Sequence, residues 1–138
     1  LIRYADILLM YAESKIELGE IDDSVYDAIN EVRQRPTVEM PIITSGKSQE
    51  ELRAIIRDER AVELAFEGLR LYDMNRWKIG EEKVGTVEGL YYLNTASGEW
   101  ETITSGLTRT FRADRDYLWP IPQVEMEIND NITQNPNY

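Results

Sequence analysis

The sequence predicts a mostly α-helical chain of tetratricopeptide-like helical hairpins, with a small irregular β-hairpin region near the C-terminus. In the first half, apolar residues recur every three or four positions in three stretches, which is the spacing of a helix with one apolar face. A short turn containing a glycine separates the first two stretches, as in a helical hairpin. After residue 77, glycines divide the chain into short pieces with strand-like composition.

The first helix is predicted over Tyr4–Leu18, where two apolar rows lie side by side. A stripe this wide indicates burial on two sides, and Gly19 is placed to end the helix. Because Leu1 already lies inside the helical pattern, we expect the chain to be a piece of a longer protein. One row then lacks its neighbour, so we expect Leu1, Leu8 or Ile16 to be exposed. The rows are Leu1, Tyr4, Leu8, Tyr11 and Leu18, and Ile2, Ala5, Leu9, Ala12 and Ile16.

A second apolar face predicts another helix, which stops before Pro36 because the residue preceding a proline disfavours the helical conformation. Asp22, Asp23 and Ser24 are candidates for its N-cap, and Ser24 and Asp27 have the spacing of a capping box. Two short helices around a glycine turn, with a terminal proline, are typical of a tetratricopeptide repeat. The apolar face consists of Val25, Ala28, Ile29 and Val32.

The third helix is predicted to begin at Ser48, which has the spacing of a capping box with Glu51. The helical pattern continues to Gly68, and two acids, Glu59 and Glu63, fall on its apolar face. An unpaired carboxylate is costly to bury, so these acids need cationic partners. The apolar face consists of Leu52, Ile55, Ile56, Val62 and Phe66.

We expect at least one of Glu59 and Glu63 to form a mostly buried, hydrogen-bonded pair with Arg33, Arg70 or Arg76. Arg33 belongs to the preceding hairpin, and the other two arginines follow the break at residue 68. Such a pair would fix how the helical stretch after residue 68 folds onto the helix before it. These five residues are therefore predicted to form structural ion pairs.

The C-terminal half predicts a β-hairpin with strands at 90–93 and 100–103, joined by a turn at 95–98. A further short strand is expected at 108–111. The segment 117–122 is predicted to be extended, because two prolines restrict its backbone.

Aromatic residues in this half have two possible uses. Trp100, Tyr91 and Tyr92 could stack on a sugar or another ligand ring, because aromatic faces offer rigid, amphipathic contact. Of these, Trp100 and Tyr92 are the candidates that we select. The alternative is that the hairpin aromatics cover the helical core, which is the commoner use of such side chains. Trp77 and Trp119 are predicted to be core residues.

The composition argues against several classes of function. A formal net charge of −11 argues against binding to nucleic acid or to an anionic membrane surface. The chain has no cysteine and no histidine, which removes thiol chemistry, Cys/His zinc sites and histidine-dependent catalysis. We predict no catalytic residue, no metal site and no cofactor, and a single domain over residues 1–138.

One enzymatic alternative comes from Glu59, Glu63 and Glu67, since glycoside hydrolysis requires a pair of carboxylates. Acids at this spacing are also explained as members of an ion-pair network with nearby arginines, because structural networks produce the same clustering of charge. The structural interpretation is the one we favour.

Taken together, five segments resemble the C-terminal part of the SusD/RagB family in sequence and in order. They are 3–13 (RYADILLMYAE), 29–35 (INEVRQR), 57–77 (RDERAVELAFEGLRLYDMNRW), 117–122 (YLWPIP) and 133–138 (TQNPNY). Members of the family usually end in QNPGY, and here Asn137 replaces the glycine. Asparagine also tolerates a positive φ, so we expect the same turn.

The resemblance implies a surface-exposed outer-membrane lipoprotein that captures an oligosaccharide or similar nutrient for a TonB-dependent (SusC-like) transporter and has no enzymatic activity. It also implies an α-helical scaffold with tetratricopeptide-like repeats. Membrane attachment would come only from a lipid anchor outside this segment, which would itself be soluble. The alternative from a different class is a helical-repeat protein-interaction module that binds no glycan.

Overall fold

The computed structural model describes residues 2–85, 90–103 and 106–138. The predicted fold class is confirmed, because in this part of the chain helices dominate and the strands form one small antiparallel pair. The contacts divide the chain into two compact units, Leu1–Arg70 and Leu71–Tyr138. The single domain over 1–138 stays a prediction. The elements are α1 (Tyr4–Leu18), α2 (Asp23–Arg33), α3 (Gln49–Glu63), α4 (Arg70–Trp77), α5 (Gly80–Lys83), β1 (Leu90–Asn94), β2 (Glu99–Ile103) and α6 (Gln123–Ile128).

The first unit is built around α1, which packs against both α2 and α3. One apolar row of α1 is buried, and its residues Leu9, Ala12 and Ile16 have no exposed surface. The apolar faces of α2 and α3 complete the core, as their spacing predicts. The core consists of Leu9, Ala12, Ile16, Val25, Tyr26, Ala28, Ile29, Val32, Leu52 and Ile56.

The second apolar row of α1 is exposed, but mainly through residues other than Leu8 and Ile16, two of the three predicted. Ile16 is fully buried and Leu8 is partly buried, while Leu1 lies outside the described residues. Tyr4 and Leu18 are instead 66% and 73% exposed. The reason is that α2 and α3 both pack against the row containing Ile16, so the row containing the tyrosines faces outward.

The helix ends follow local signals, with one correction. Gly19 ends α1 in the left-handed conformation at φ 74°, as predicted. The capping box of α3 is confirmed, since Glu51 N–H donates to Ser48 Oγ and Ser48 N–H donates to the Glu51 carboxylate. The capping box predicted at the start of α2 is wrong, because Asp22 is the N-cap and accepts from the Ser24 backbone N–H at 3.0 Å.

The third helix is shorter than its apolar pattern indicates. It ends at Glu63, and Phe66 lies beyond it with φ 64° and is fully exposed. Val62 is 78% exposed, because six residues beyond Ile56 make about one and two-thirds turns and take it off the buried line. The predicted core positions Val62 and Phe66 are therefore wrong.

In the second unit, β1 and β2 form the predicted hairpin, with Leu90 paired to Ile103 and Asn94 to Glu99. The strand expected at 108–111 is wrong, because only Thr108 makes an isolated bridge. Asn137 has φ 67°, which confirms the expected turn. Within the described residues, no helix has the length and apolar character needed to cross a membrane.

The second unit has one tightly packed point, around Gly80. The glycine lies against the ring of Phe111, which packs edge-on against Tyr117 with centroids 4.7 Å apart. The Gly80 N–H donates to the Tyr117 hydroxyl at 3.0 Å. Trp119, predicted to be core, is 71% exposed, because it sits on the extended segment that runs along the surface.

Candidate functional site

The β-hairpin presents two chemically different faces. Side chains alternate along a strand, so the pairing of Leu93 with Trp100 and of Tyr91 with Thr102 places these four residues on one side. We call this side the aromatic face. The opposite side, the polar face, carries six residues: Leu90, Tyr92, Asn94, Glu99, Glu101 and Ile103.

The aromatic face carries an exposed ring stack. The rings of Tyr91 and Trp100 are stacked with centroids 5.0 Å apart and planes inclined by 17°. Both side chains are well exposed, at 63% for Tyr91 and 59% for Trp100. Each ring therefore has an outer face that is not covered by the other, which suits contact with a flat apolar surface of a ligand.

The two residues predicted to stack on a ligand lie on opposite faces. Trp100 lies on the aromatic face, whereas Tyr92 lies on the polar face and donates its hydroxyl to the Glu101 carboxylate at 2.9 Å. That hydrogen bond raises the pKa of Tyr92, since it favours the protonated phenol. Tyr91, the third aromatic residue considered for stacking but not one of the two selected, is the ring beside Trp100. Counting outward from the turn at 95–98 would have shown this.

One predicted pair of charged residues is brought together in the first unit. Arg33 Nη1 donates to Glu59 Oε2, and the side chains are only 14% and 13% exposed. Arg33 Nε also donates to the Pro41 carbonyl at 2.8 Å. The pair thus joins α2 to α3 and to the loop between them, and not the two pieces of the third helical stretch as the sequence predicts.

Glu63 has partners that the sequence analysis did not identify. Its side chain is 7% exposed and accepts from Arg3 Nη1 at 2.8 Å and from Arg35. Burial opposes ionisation, but the hydrogen bonds from these two arginines outweigh it and lower the pKa of Glu63. Arg76 pairs with Asp73 at 2.8 Å within α4, and Arg70 begins that helix.

The carboxylate row considered for glycoside hydrolysis is occupied by ion pairs. Glu67 accepts from Arg3 at 2.6 Å, and Glu59 and Glu63 accept from the arginines described above. All three acids therefore belong to a structural network, which is the interpretation that the sequence favoured. Within the described residues, no cluster of three or more acidic side chains is arranged to hold a metal ion.

A second concave surface lies on the helical unit. A groove of about 700 Å³ runs between the start of α1 and the end of α2. Its lining combines the exposed Tyr4 ring with Leu8, Val32 and Pro36, and it also includes Arg35. The groove continues the exposed apolar row of α1, so the surface is suited to an apolar contact.

Comparison with known proteins identifies the family. A sequence model of the SusD family matches residues 1–138. SusD-like protein P2 of Formosa agariphila is 35% identical over 99% of this chain, which corresponds to 25% of that protein. SusD-like protein P25 of the same organism is 39% identical over 96% of this chain and 23% of its own length.

Solved structures agree with these relatives. A SusD-like protein of Bacteroides fragilis superposes with a TM-score of 0.86 at 38% identity, covering 99% of this chain and 25% of that structure. A SusD-like carbohydrate binding protein of the same species gives a TM-score of 0.81 at 35% identity, covering 96% of this chain and 28% of that structure. The chain spans about a quarter of the length of these relatives. The resemblance of the five segments is thus confirmed, and the chain belongs to the SusD family.

Proposed function

We propose that this chain is part of a glycan-binding component of an outer-membrane uptake system, which captures an oligosaccharide and passes it to a TonB-dependent (SusC-like) transporter. The observation that carries the proposal is the match of the SusD family over residues 1–138. A relative of known structure with 35% identity is a SusD-like carbohydrate binding protein. In this proposal the protein is not an enzyme. It is a surface-exposed lipoprotein held by a lipid anchor outside this segment.

Within this proposal, the aromatic face is the oligosaccharide contact that this chain supplies. The apolar C–H face of a sugar ring matches an exposed aromatic face in size and polarity. Trp100 and Tyr91 present such faces, because both stacked rings remain well exposed on the hairpin. Trp100 is the primary contact, and Tyr92 contributes through the polar face.

Calorimetry with the full-length protein tests this assignment. The probes are maltohexaose, cellohexaose, laminarihexaose and xylohexaose, which cover common neutral backbones. We expect at least one to bind, and Trp100→Ala to weaken that binding at least tenfold while the melting temperature is unchanged. Trp119→Ala is the matched control, because this indole is also exposed but lies outside the hairpin. Equal effects of the two substitutions on affinity would show that the aromatic face is not part of the binding site.

Delivery to a transporter is tested separately. The full-length protein is expressed in its native host, and the outer membrane is solubilised in mild detergent. We expect a TonB-dependent transporter to co-purify with it at a defined stoichiometry. Purification of the protein alone, under conditions that keep a known SusD-like complex intact, would contradict this part of the proposal.

A second candidate function is a helical-repeat protein-interaction module. The observation that favours it is the exposed row of α1, where Tyr4, which lines the groove, and Leu18, at the other end of the helix, expose large apolar surfaces. On this hypothesis, Tyr4→Ser and Leu18→Ser abolish association with a protein partner and leave oligosaccharide binding unchanged. Sedimentation and co-purification measure the first effect, and calorimetry measures the second.

A further inference from the structure

We propose that Glu101 is the positioning residue of the aromatic face: its carboxylate ties both strands and the turn of the hairpin in the one register that presents Trp100 beside Tyr91. The inference rests on the proposed function, because it assigns the residue that orients the oligosaccharide contact. It concerns the polar face, on the opposite side of the hairpin from Trp100.

The carboxylate of Glu101 is the centre of the polar face. Its Oε2 accepts from the Tyr92 hydroxyl at 2.9 Å, and its Oε1 accepts from Asn94 Nδ2 at 2.7 Å. Ser97 Oγ also donates to Oε1 at 3.4 Å. One side chain on β2 thus binds two residues of β1 and one residue of the turn.

Asn94 extends this network into the backbone of the turn. Its Oδ1 accepts from the N–H of Ala96 at 3.0 Å and from that of Ser97 at 3.4 Å. The Ser97 hydroxyl in turn accepts from the Glu99 N–H at 3.3 Å. The oxygen of the Asn94 amide therefore orients the turn, and its nitrogen holds the Glu101 carboxylate.

The hairpin needs such a device because apolar burial does not define its register. A two-stranded hairpin is marginally stable in water by itself. Its aliphatic side chains are largely exposed, at 65% for Leu90, 45% for Leu93 and 55% for Ile103. A slip of one residue would turn every side chain of one strand to the other face at little cost in buried area.

The bond between Tyr92 and Glu101 exists only in the observed register. These residues are direct cross-strand partners, so a slip separates the hydroxyl from the carboxylate. The same slip would move Trp100 away from the face that carries Tyr91. The polar network thereby selects the side on which the ring stack stands.

The charge of Glu101 supports this role. The hydrogen bonds from Asn94 and then Tyr92 lower the pKa of Glu101, so its carboxylate accepts from all its donors at neutral pH. An ionised carboxylate has only acceptor sites, which matches the three donors that surround it.

The first test needs no ligand and uses NMR on the full-length protein. We expect Glu101→Ala to abolish the ring-to-ring NOEs between Tyr91 and Trp100 and to speed amide hydrogen exchange in β1 and β2. Glu101→Gln should keep both, because the tyrosine hydroxyl can accept as well as donate and the amide oxygen still accepts from Asn94. Glu99→Ala is the matched control, since Glu99 lies on the same strand and face but outside the carboxylate network. Intact NOEs in Glu101→Ala would overturn the inference.

The second test is a double-mutant cycle in binding, with the hexasaccharide that binds most tightly among the four probes. We expect Glu101→Ala to weaken binding about tenfold, as misplacement of a contact group does. It should have no further effect in a Trp100→Ala background, and Glu101→Gln should restore most of the affinity. If Trp100→Ala itself has no effect, the proposal that Trp100 contacts the oligosaccharide is wrong, and the NMR experiment still tests whether Glu101 positions the Trp100 ring. If Trp100→Ala weakens binding and Glu101→Ala does not, only the positioning fails.

Discussion

The two compact units of this chain are stabilised by different interactions. In the first, Leu1–Arg70, buried aliphatic side chains from α1, α2 and α3 form a continuous core. In the second, Leu71–Tyr138, Ile79 is the one large apolar side chain that is buried among the described residues. The first unit therefore depends on burial of apolar surface, the dominant favourable contribution to folding.

The second unit uses side-chain amides and hydroxyls in place of a core. The Gln134 side chain accepts from the Ile121 N–H and donates to the Ile121 carbonyl, both at 2.9 Å. Asn135 donates to the Trp119 carbonyl at 2.6 Å, and the Tyr138 hydroxyl donates to the Leu118 carbonyl at 2.8 Å. Each such bond contributes about 0.5–1.5 kcal/mol net, so the unit depends on many small contributions. Rings such as Trp100 can therefore stay exposed in the second unit, because no extensive apolar core among its described residues buries them.

The largest effect is expected from a cavity in the first unit. Ile56→Ala removes a fully buried side chain from α3 and should lower the free energy of unfolding by about 2–5 kcal/mol. Val62→Ala, on the exposed side of the same helix, should change it by less than about 0.5 kcal/mol. Urea unfolding followed by circular dichroism measures both. Similar losses for the two variants would show that the core does not govern the stability of this unit.

The pair of Arg33 and Glu59 should have the next largest effect. Glu59→Gln leaves the guanidinium without its charged partner and should cost about 3 kcal/mol, the lower end for a buried pair, because both groups retain some exposure. Replacing both residues with leucine should cost much less. The control is Glu17→Gln, since Glu17 is exposed and its partner Arg53 is partly exposed, with an expected cost below about 1 kcal/mol. Equal midpoints for Glu59→Gln and Glu17→Gln in urea would count against a structural role for the buried pair.

The packed point of the second unit gives a smaller effect. A Cβ at Gly80 would lie 2.4 Å from Phe111 Cζ, whose ring is held against Tyr117. Gly80→Ala should therefore destabilise the protein by about 1–3 kcal/mol, as overpacking does. Gly85→Ala meets nothing within 4 Å and serves as the control. Thermal unfolding that gives the same midpoint for both variants would show that the ring moves aside freely.

The smallest effect is electrostatic and belongs to the start of α2. The hydrogen bond from Lys15, followed by that from Ser24, lowers the pKa of Asp22 to about 2. Because the folded-state pKa is depressed, the stabilisation is complete above the ordinary pKa near 4 and is lost as the pH falls towards about 2. Asp22→Asn should lose this part of the pH dependence. NMR titration of the carboxyl is the direct measurement, and an ordinary pKa would refute the prediction.

Local chemistry in the sequence determined the presence of α1, α2 and α3, the end of α1, the start of α3 and the hairpin. The span of α1, the glycine that ends it and the capping box of α3 depend on residues within five positions of one another. The antiparallel pairing of β1 and β2 likewise follows from a four-residue turn between two strand-like runs. The acids on the apolar face of α3 likewise predicted buried ion pairs, because helical spacing alone places them on the buried side.

Only the tertiary structure decided which groups meet across long stretches of chain. Arg3 reaches Glu63 from 60 positions away, which no local pattern specifies. The row of α1 that is buried depends on where α2 and α3 pack, because both of its rows are apolar. In the hairpin, by contrast, counting outward from the turn places Trp100 on the side of Tyr91 and Tyr92 opposite Glu101, and only the side-chain conformations decide that the rings stack and that the hydroxyl binds the carboxylate. Spacing along the chain sets the side of an element that a residue occupies, and packing between elements sets what that side touches.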